Sequence, residues 1–413
     1  MTLSLFWKVS LAFSSLLTFG QSAPTQRHGF PTQGSHHFTP AKAIYLITND
    51  ASNAVAAVPI GADGTLSKGT LTATGGAGGN SIDGATKEPA APDALVGQSA
   101  LTIAGNFIFA VNPRSNTLSM LSINPWCPTE LTLVGQPVAL PGQFPNTVAA
   151  SAKNGLVCVG TTGAVNGVSC SSFSRKGLSP TDGLRSFDFV QTTPPVGPTN
   201  TVSQLFFSED ESRLFATVKG DPTVNNTGFF SVFPVNGGGW HSASSLASQD
   251  TRSSPSGTAV LFGSADIPGT SNVFVTDASF GGAIIAVDPA TNTASTLAKQ
   301  EIAGQKATCW ATISSVTGSA FVTDVAVNRL IEMSLQDASI ISTLDLSSNG
   351  DPGLIDLKAA GNFIYALSPG NGTTPAAVTV VDVSGGSGSA KQIQHFDLSG
   401  TGVDKNAQGM AVF

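Results

Sequence analysis

The 413-residue sequence is poor in charge: Asp, Glu, Lys and Arg together make up 11% of it, and no run of basic residues occurs anywhere. With a formal net charge of −7, it lacks the clustered Lys/Arg surface that nucleic acid requires. Beyond its first residues it also lacks any stretch of the roughly 18 apolar residues needed to span a bilayer. Histidine is scarce, with five in the chain, three of them (His28, His36 and His37) near the start. The Gly-rich stretch 75–79 has neither the preceding strand nor the following helix of a phosphate cradle.

What is present is repetition. Ala104-Gly105-Asn106-Phe107-Ile108-Phe109-Ala110-Val111-Asn112-Pro113 returns as Ala360-Gly361-Asn362-Phe363-Ile364-Tyr365-Ala366-Leu367-Ser368-Pro369, and Phe274-Val275-Thr276-Asp277 returns as Phe321-Val322-Thr323-Asp324. A period of about 40–50 residues built from short β-rich runs marks the blades of a β-propeller. The 45 Gly and 24 Pro punctuate the strands, and a 41% hydrophobic content supplies the core. Blades stack into one ring, so the length does not imply several domains.

Seven blades are expected, over 43–74, 99–140, 146–190, 200–247, 258–302, 308–346 and 354–398, an all-β fold filling 42–413. Runs such as Phe107–Val111 are continuously apolar, which fits strands buried on both faces between neighbouring blades. Gly105 and Gly361 suit the hairpin between the first and second strands. The tail Gly409–Phe413 reads as an innermost strand without a blade of its own, expected to pair back into the first blade and close the ring. The linker Gly75–Pro92 is expected on the surface.

The chain begins like a secretory signal: Lys8, the apolar run Val9–Phe19, then small residues up to Ala23. Residues 1–22 are read as a signal peptide and 23–41 as a disordered leader, so a secreted, extracellular or cell-wall protein is expected. Export permits disulfides. Cys158 and Cys170 flank a turn-rich segment and can bridge if their strands bring them into register; Cys127 and Cys309 fall in different blades and are expected to be unpaired. Asn225-Asn226-Thr227 and Asn371-Gly372-Thr373 are glycosylation acceptors at Asn225 and Asn371.

In a propeller, the loops entering the inner strands share one face with those joining second and third strands, and ligands bind there. The residues so placed include Gln98, Ser99, Asn146, Asn200, Lys306, Asp351 and Gln408, with Asn49, Asp50, Arg114, Lys219, Asp221, Asp277, Asp324 and Arg329. No histidine joins them, since His241 belongs to an outer hairpin and His395 to the last outer strand, so no His-based metal site or triad is expected. Two readings of this mouth compete. In one, Arg114, Lys219, Lys306 and Arg329 hold a carboxylate or phosphate, and Asp277 or Asp324 is the acid or base. In the other, the repeated Asp residues cap turns and the cations are solvated loop tips.

Phrases such as Gln305-Lys306-Ala307-Thr308-Cys309-Trp310 and Phe274–Gly281, with the signal peptide and seven blades, resemble secreted fungal proteins of the 3-carboxymuconate cyclase type, within the seven-bladed lactonase (6-phosphogluconolactonase-like) family. The resemblance covers nearly all the chain after about residue 40. It implies cofactor-independent chemistry on a small acidic substrate, forming or opening a lactone at the channel mouth of a monomer. Family members commonly begin inner strands with Pro-His or Arg-His. Here the matching places read Pro145-Asn146-Thr147 and Pro198-Thr199-Asn200-Thr201, and Asn cannot transfer a proton near neutral pH. Asn146 and Asn200 are therefore taken as substrate-binding. The alternative is a non-catalytic binding or adhesion glycoprotein of the fungal surface that holds a cell-surface ligand.

Overall fold

The computed structural model describes residues 42–238 and 243–413. The expected signal peptide and leader lie outside the described residues, as do His28, His36, His37, His241 and the adjoining Trp240. Among the described residues, seven antiparallel sheets form the blades of a β-propeller. Their inner strands are Leu101–Ala104, Pro145–Ser151, Val202–Phe207, Leu261–Asp266, Thr308–Ser314, Ile355–Ala360 and Gln408–Val412. No helix among these residues is long and apolar enough to cross a membrane.

The strand sequences explain the packing. Side chains alternate across a strand, and in blade 1 both faces are core. Ile44 and Leu46 pack with blade 7 residues such as Tyr365 and Val380. Ala43, Tyr45 and Ile47 pack with blade 2 residues such as Phe109 and Met120. The core is therefore a set of apolar layers between blades, and the strand reads as an uninterrupted apolar run. The repeated Gly105 and Gly361 sit at φ +57° and +55°, where tight turns place Ala104 opposite Phe107 and Ala360 opposite Phe363. A side chain at such φ is disfavoured and glycine is not. Within blade 3, on the face that packs against blade 4, Cys158 and Cys170 stand opposite one another in the ladder and form a disulfide; Cys127 and Cys309 are unpaired.

The C-terminal strand closes the ring. Gln408–Val412 pairs antiparallel with Ala43–Ile47, with Ile44 opposite Val412 and Tyr45 opposite Ala411. Blade 1 thus takes its innermost strand from the chain's last residues and its other three from the first described ones, so no inner edge is left unpaired.

The segment Gly75–Pro92 runs mostly along the surface, with Ser81 and Ala90 buried, whereas the chain that follows it turns inward and everything from Ala94 to Ala100 is buried. Within Gly75–Pro92, Ile82–Asp83 pairs in parallel with Val196–Gly197 of the linker between blades 3 and 4. The two linkers cover the upper face together because their backbone groups find partners in each other.

Removing Gln408–Phe413 strips the inner strand from blade 1 and exposes the apolar Ala43–Ile47 edge. The expected outcome is loss of the cooperative thermal transition by circular dichroism; a truncated chain that melts like the full one contradicts this closure.

Candidate functional site

The upper mouth of the channel is occupied by the protein's own backbone. Ala94–Ala100 descends along the axis, and side chains of the surrounding blades satisfy its polar groups. Asn146 Nδ2 donates to Leu95 O (3.2 Å), Lys219 Nζ to Val96 O, and Trp310 Nε1 to Gly97 O (3.4 Å). The Gln98 side chain makes two bonds with Ala311, Nε2 to the carbonyl (2.9 Å) and Oε1 from the amide (3.1 Å). Its backbone N–H donates to Ser203 O (2.8 Å), and Val148 N–H donates to Ser99 O (2.8 Å). Blades 3, 4 and 6 therefore hold one plug. Gly97 is required by space: a Cβ there would sit 2.8 Å from both Asn146 Nδ2 and Ser203 O.

Several residues expected to meet a ligand serve this plug instead. Lys219 is 1% exposed; it also donates to Ser203 Oγ (3.1 Å) and lies 4.3 Å above the Phe262 ring. Burial pulls its ammonium well below the ordinary lysine range, partly opposed by the charge of buried Asp93. Burial raises the Asp93 carboxyl, against the pull of Lys219. Asn146 is fully buried, and its second amide bond goes to Val202 O (2.6 Å). Beside the plug on blade 7, burial lifts Asp356 to about 6, offset in part by Lys358.

Asp277 and Asp324 occupy equivalent positions at the ends of second strands and do the same work. Asp277 accepts the backbone N–H groups of Ala259 (2.7 Å), Val260 (3.0 Å) and Ser279 (2.9 Å). Asp324 accepts those of Lys306 (2.7 Å), Ala307 (3.2 Å) and Ala326 (3.0 Å). Each ties its blade to the preceding linker, the capping role that their repetition suggested. Lys306 is exposed, and Arg329 reaches Ala303 O (3.1 Å) at the rim. The four expected cations are thus not brought together. Asn200 is engaged by Asn226 Nδ2 (2.7 Å). Asn225 and Asn371 lie exposed on upper-face loops. His395 pairs with Asp351, its Nε2 3.1 Å from both carboxylate oxygens.

Of the residues expected at the mouth, Arg114 lines a cleft together with Asn49 and Asp50. This cleft, of about 690 Å³, lies off the axis, between the linker covering the upper face and the loops of blades 1 and 2. Asn49, Asp50, Asn80, Arg114, Lys405 and Asn406 supply its polar lining. A hydrogen-bond network fixes the wall: Asn49 exchanges two bonds with Gly79 (both 3.1 Å), Asn80 Nδ2 donates to Asn406 Oδ1 (2.8 Å), and Asn406 Nδ2 donates to Asp50 Oδ1 (3.3 Å). Burial raises the Asp50 carboxyl; the Asn406 bond lowers it and the charge of Asp404 raises it further. The side chains of Arg114 and Lys405 form no ion pair among the described residues. Lys405 and Asn406 lie in the loop that enters the inner strand begun by Gln408, so the rule that placed Gln408 at the mouth extends to them.

No family model matches the chain, and no curated protein matches it. The fold itself is widely shared. The chain is similar to a periplasmic gluconolactonase of Pseudomonas aeruginosa, with 15% identity over 90% of this chain and 98% of that one and a TM-score of 0.60. It is similar to a putative 6-phosphogluconolactonase of Bacteroides fragilis, at 10% identity over 93% and 100% with a TM-score of 0.57. It is equally similar to a hypothetical selenium-binding protein of Sulfolobus tokodaii, at 9% identity over 91% and 94% with a TM-score of 0.58. At these identities the likeness is one of fold, the seven-bladed propeller.

The buried carboxyls give the plug a pH signature. Asp93 and Asp356 hold their protons in the folded state at pH values where the unfolded chain has lost them. The stability they contribute is full below about 4 and is lost as pH rises through their raised folded values. The melting temperature is therefore expected to fall between pH about 4 and about 7, and Asp356→Asn to flatten that slope; a slope unchanged in the variant contradicts the assignment.

Proposed function

We propose that this propeller takes a small organic acid or its lactone in the cleft of Arg114, Lys405 and Asp50 and opens the lactone there. The observation that carries the reading is the convergence, in one cleft, of two cations without internal anions and a carboxyl raised by burial. A carboxylate of raised basicity is a better proton acceptor than a fully solvated one. Asp50 takes a proton from water as the water oxygen bonds to the lactone carbonyl carbon. The oxyanion so formed lies beside Arg114 and Lys405, whose charge stabilises it. The carbonyl then reforms, the ring C–O bond breaks, and the Asp50 proton passes to the leaving oxygen to give a hydroxy acid. The likeness in fold to the Pseudomonas gluconolactonase agrees with this reading. The exposed sequons at Asn225 and Asn371 and the Cys158–Cys170 bridge agree with the secreted location we propose.

A second reading, a binding protein without turnover, is favoured by one observation: the axial residues beneath the mouth are sealed by the plug and hydrogen-bonded to it. Calorimetric titration with gluconate and cis,cis-muconate, followed by hydrolysis assays on the corresponding lactones, separates the two. Arg114→Ala with Lys405→Ala is expected to weaken acid binding at least tenfold, the effect of losing about one charge-assisted hydrogen bond. Asp50→Asn is expected to keep binding and lose turnover. Binding without turnover in the unaltered protein supports the second reading; absence of both overturns the cleft as a site.

A further inference from the structure

The plug closes the channel from above and leaves a cup below. At the lower end, the inner strands of blades 2, 3, 4, 5 and 7, with the loop after the blade 4 strand, line an open cavity of about 350 Å³ that no part of the proposed lactone chemistry uses. Ser99 of the plug and Gln204 lie among its lining residues, with Ser264, Asp266, Glu209 and Lys358. Three features distinguish it from a solvated rim. Asp266 on blade 5 and Lys358 on blade 7 present opposite charges to the same space, yet neither side chain makes an ion pair among the described residues. The Ser264 hydroxyl is buried, with the residue 4% exposed, and has no hydrogen-bond partner. Glu209 and Glu211 each spend one oxygen, Glu209 Oε2 on Gly269 N–H (2.7 Å) and Glu211 Oε2 on the Ser151 hydroxyl and the Lys153 N–H, so each retains its Oε1.

A buried hydroxyl without a partner forfeits hydrogen-bonding free energy, and the carboxylates of half-buried Asp266 and exposed Glu209, set around one cup, repel. Burial, with the charges of Glu209 and Asp210, pushes the Asp266 carboxyl up to about 7. Such a cup is stabilised by an ammonium group near its acids. Lys358, whose charge acts on buried Asp356 without forming an ion pair, calls for an anion on the same ligand, because an amine alone would leave it facing added positive charge. We propose that this lower cup binds a small zwitterion, a free amino acid or an ω-amino acid, with its ammonium on Asp266 and Glu209, its carboxylate on Lys358, and the Ser264 hydroxyl bonded to it. The volume suits a compact ligand. The site shares no residue with the Arg114–Lys405 cleft and does not depend on it.

The test is calorimetric titration of the full chain with glycine, L-glutamate and γ-aminobutyrate, beside propylamine and propionate, which carry one charge each. Saturable binding of at least one zwitterion is expected, with both single-charge probes at least tenfold weaker. Asp266→Asn and Lys358→Met are each expected to lower zwitterion affinity about tenfold or more, and Arg114→Ala with Lys405→Ala to leave it unchanged. Circular dichroism of each variant checks its fold; if Asp266→Asn fails to fold, Lys358→Met and the cup-filling Ser264→Val decide alone. No saturation with any zwitterion overturns the proposal. So does propylamine binding as tightly as the zwitterions, or affinity that is unchanged in Lys358→Met.

Discussion

Everything distinctive about this propeller depends on how one stretch of backbone is satisfied inside its channel. A chain segment cannot be buried on an axis unless its peptide groups find partners, since each orphaned group costs about 1–3 kcal/mol. For Ala94–Ala100 the partners include side chains projecting from the blades, Asn146, Lys219 and Trp310, and the backbone carbonyl of Ser203, while the segment's own Gln98 side chain bonds the Ala311 backbone. The polar residues that a ligand would meet in an open channel are the ones consumed in closing it. Lys219 shows the cost, because its ammonium is held in the interior by a carbonyl, a hydroxyl and an aromatic face.

Closure on the axis moves chemistry elsewhere. Above the plug, the linker that forms it also walls an off-axis cleft, so the segment that removes the axial site builds its neighbour. Below, the same segment supplies Ser99 to a second cavity of different charge. The two spaces have opposite character, one led by Arg114 and Lys405 and the other by Asp266 and Glu209 with a single lysine. The ring permits this division because adjacent blades pack through apolar layers, which leaves the ends of the inner strands free to vary in chemistry.

The scaffold was legible in the sequence for a simple reason: two-sided burial writes itself as apolar runs, and the hairpin turns at Gly105 and Gly361 demand residues that tolerate positive φ. The closing strand was legible because a final β-run without a blade has one place to go. The site was only partly legible. For Asp277 and Asp324 the sequence leaves catalyst and turn cap both open, and their bonds to backbone N–H groups of the preceding linkers are those of caps. Nothing local marks Ala94–Ala100 as axial, since the segment is short, has no periodicity and owes its burial to partners from residue 146 to residue 311. Lys219 looked like a free cation because a sequence records its charge and not the carbonyl of Val96 that holds it. Topology alone places Arg114 at the mouth, whereas Lys405 and Asn406 precede the closing strand and carry no local mark of their place in the cleft.

The central claim is that Ala94–Ala100 is structural core and not a loop resting at the mouth. Native-state amide hydrogen exchange tests it directly, because exchange reports the free energy of the opening that exposes each amide. The Gln98 N–H, bonded to Ser203 O, and the Val148 N–H, bonded to Ser99 O, are predicted to exchange only with global unfolding, together with inner-strand amides such as Leu205. Exchange of Gln98 at the rate of an exposed loop, with Leu205 still protected, would show that the channel stands open and would contradict the account.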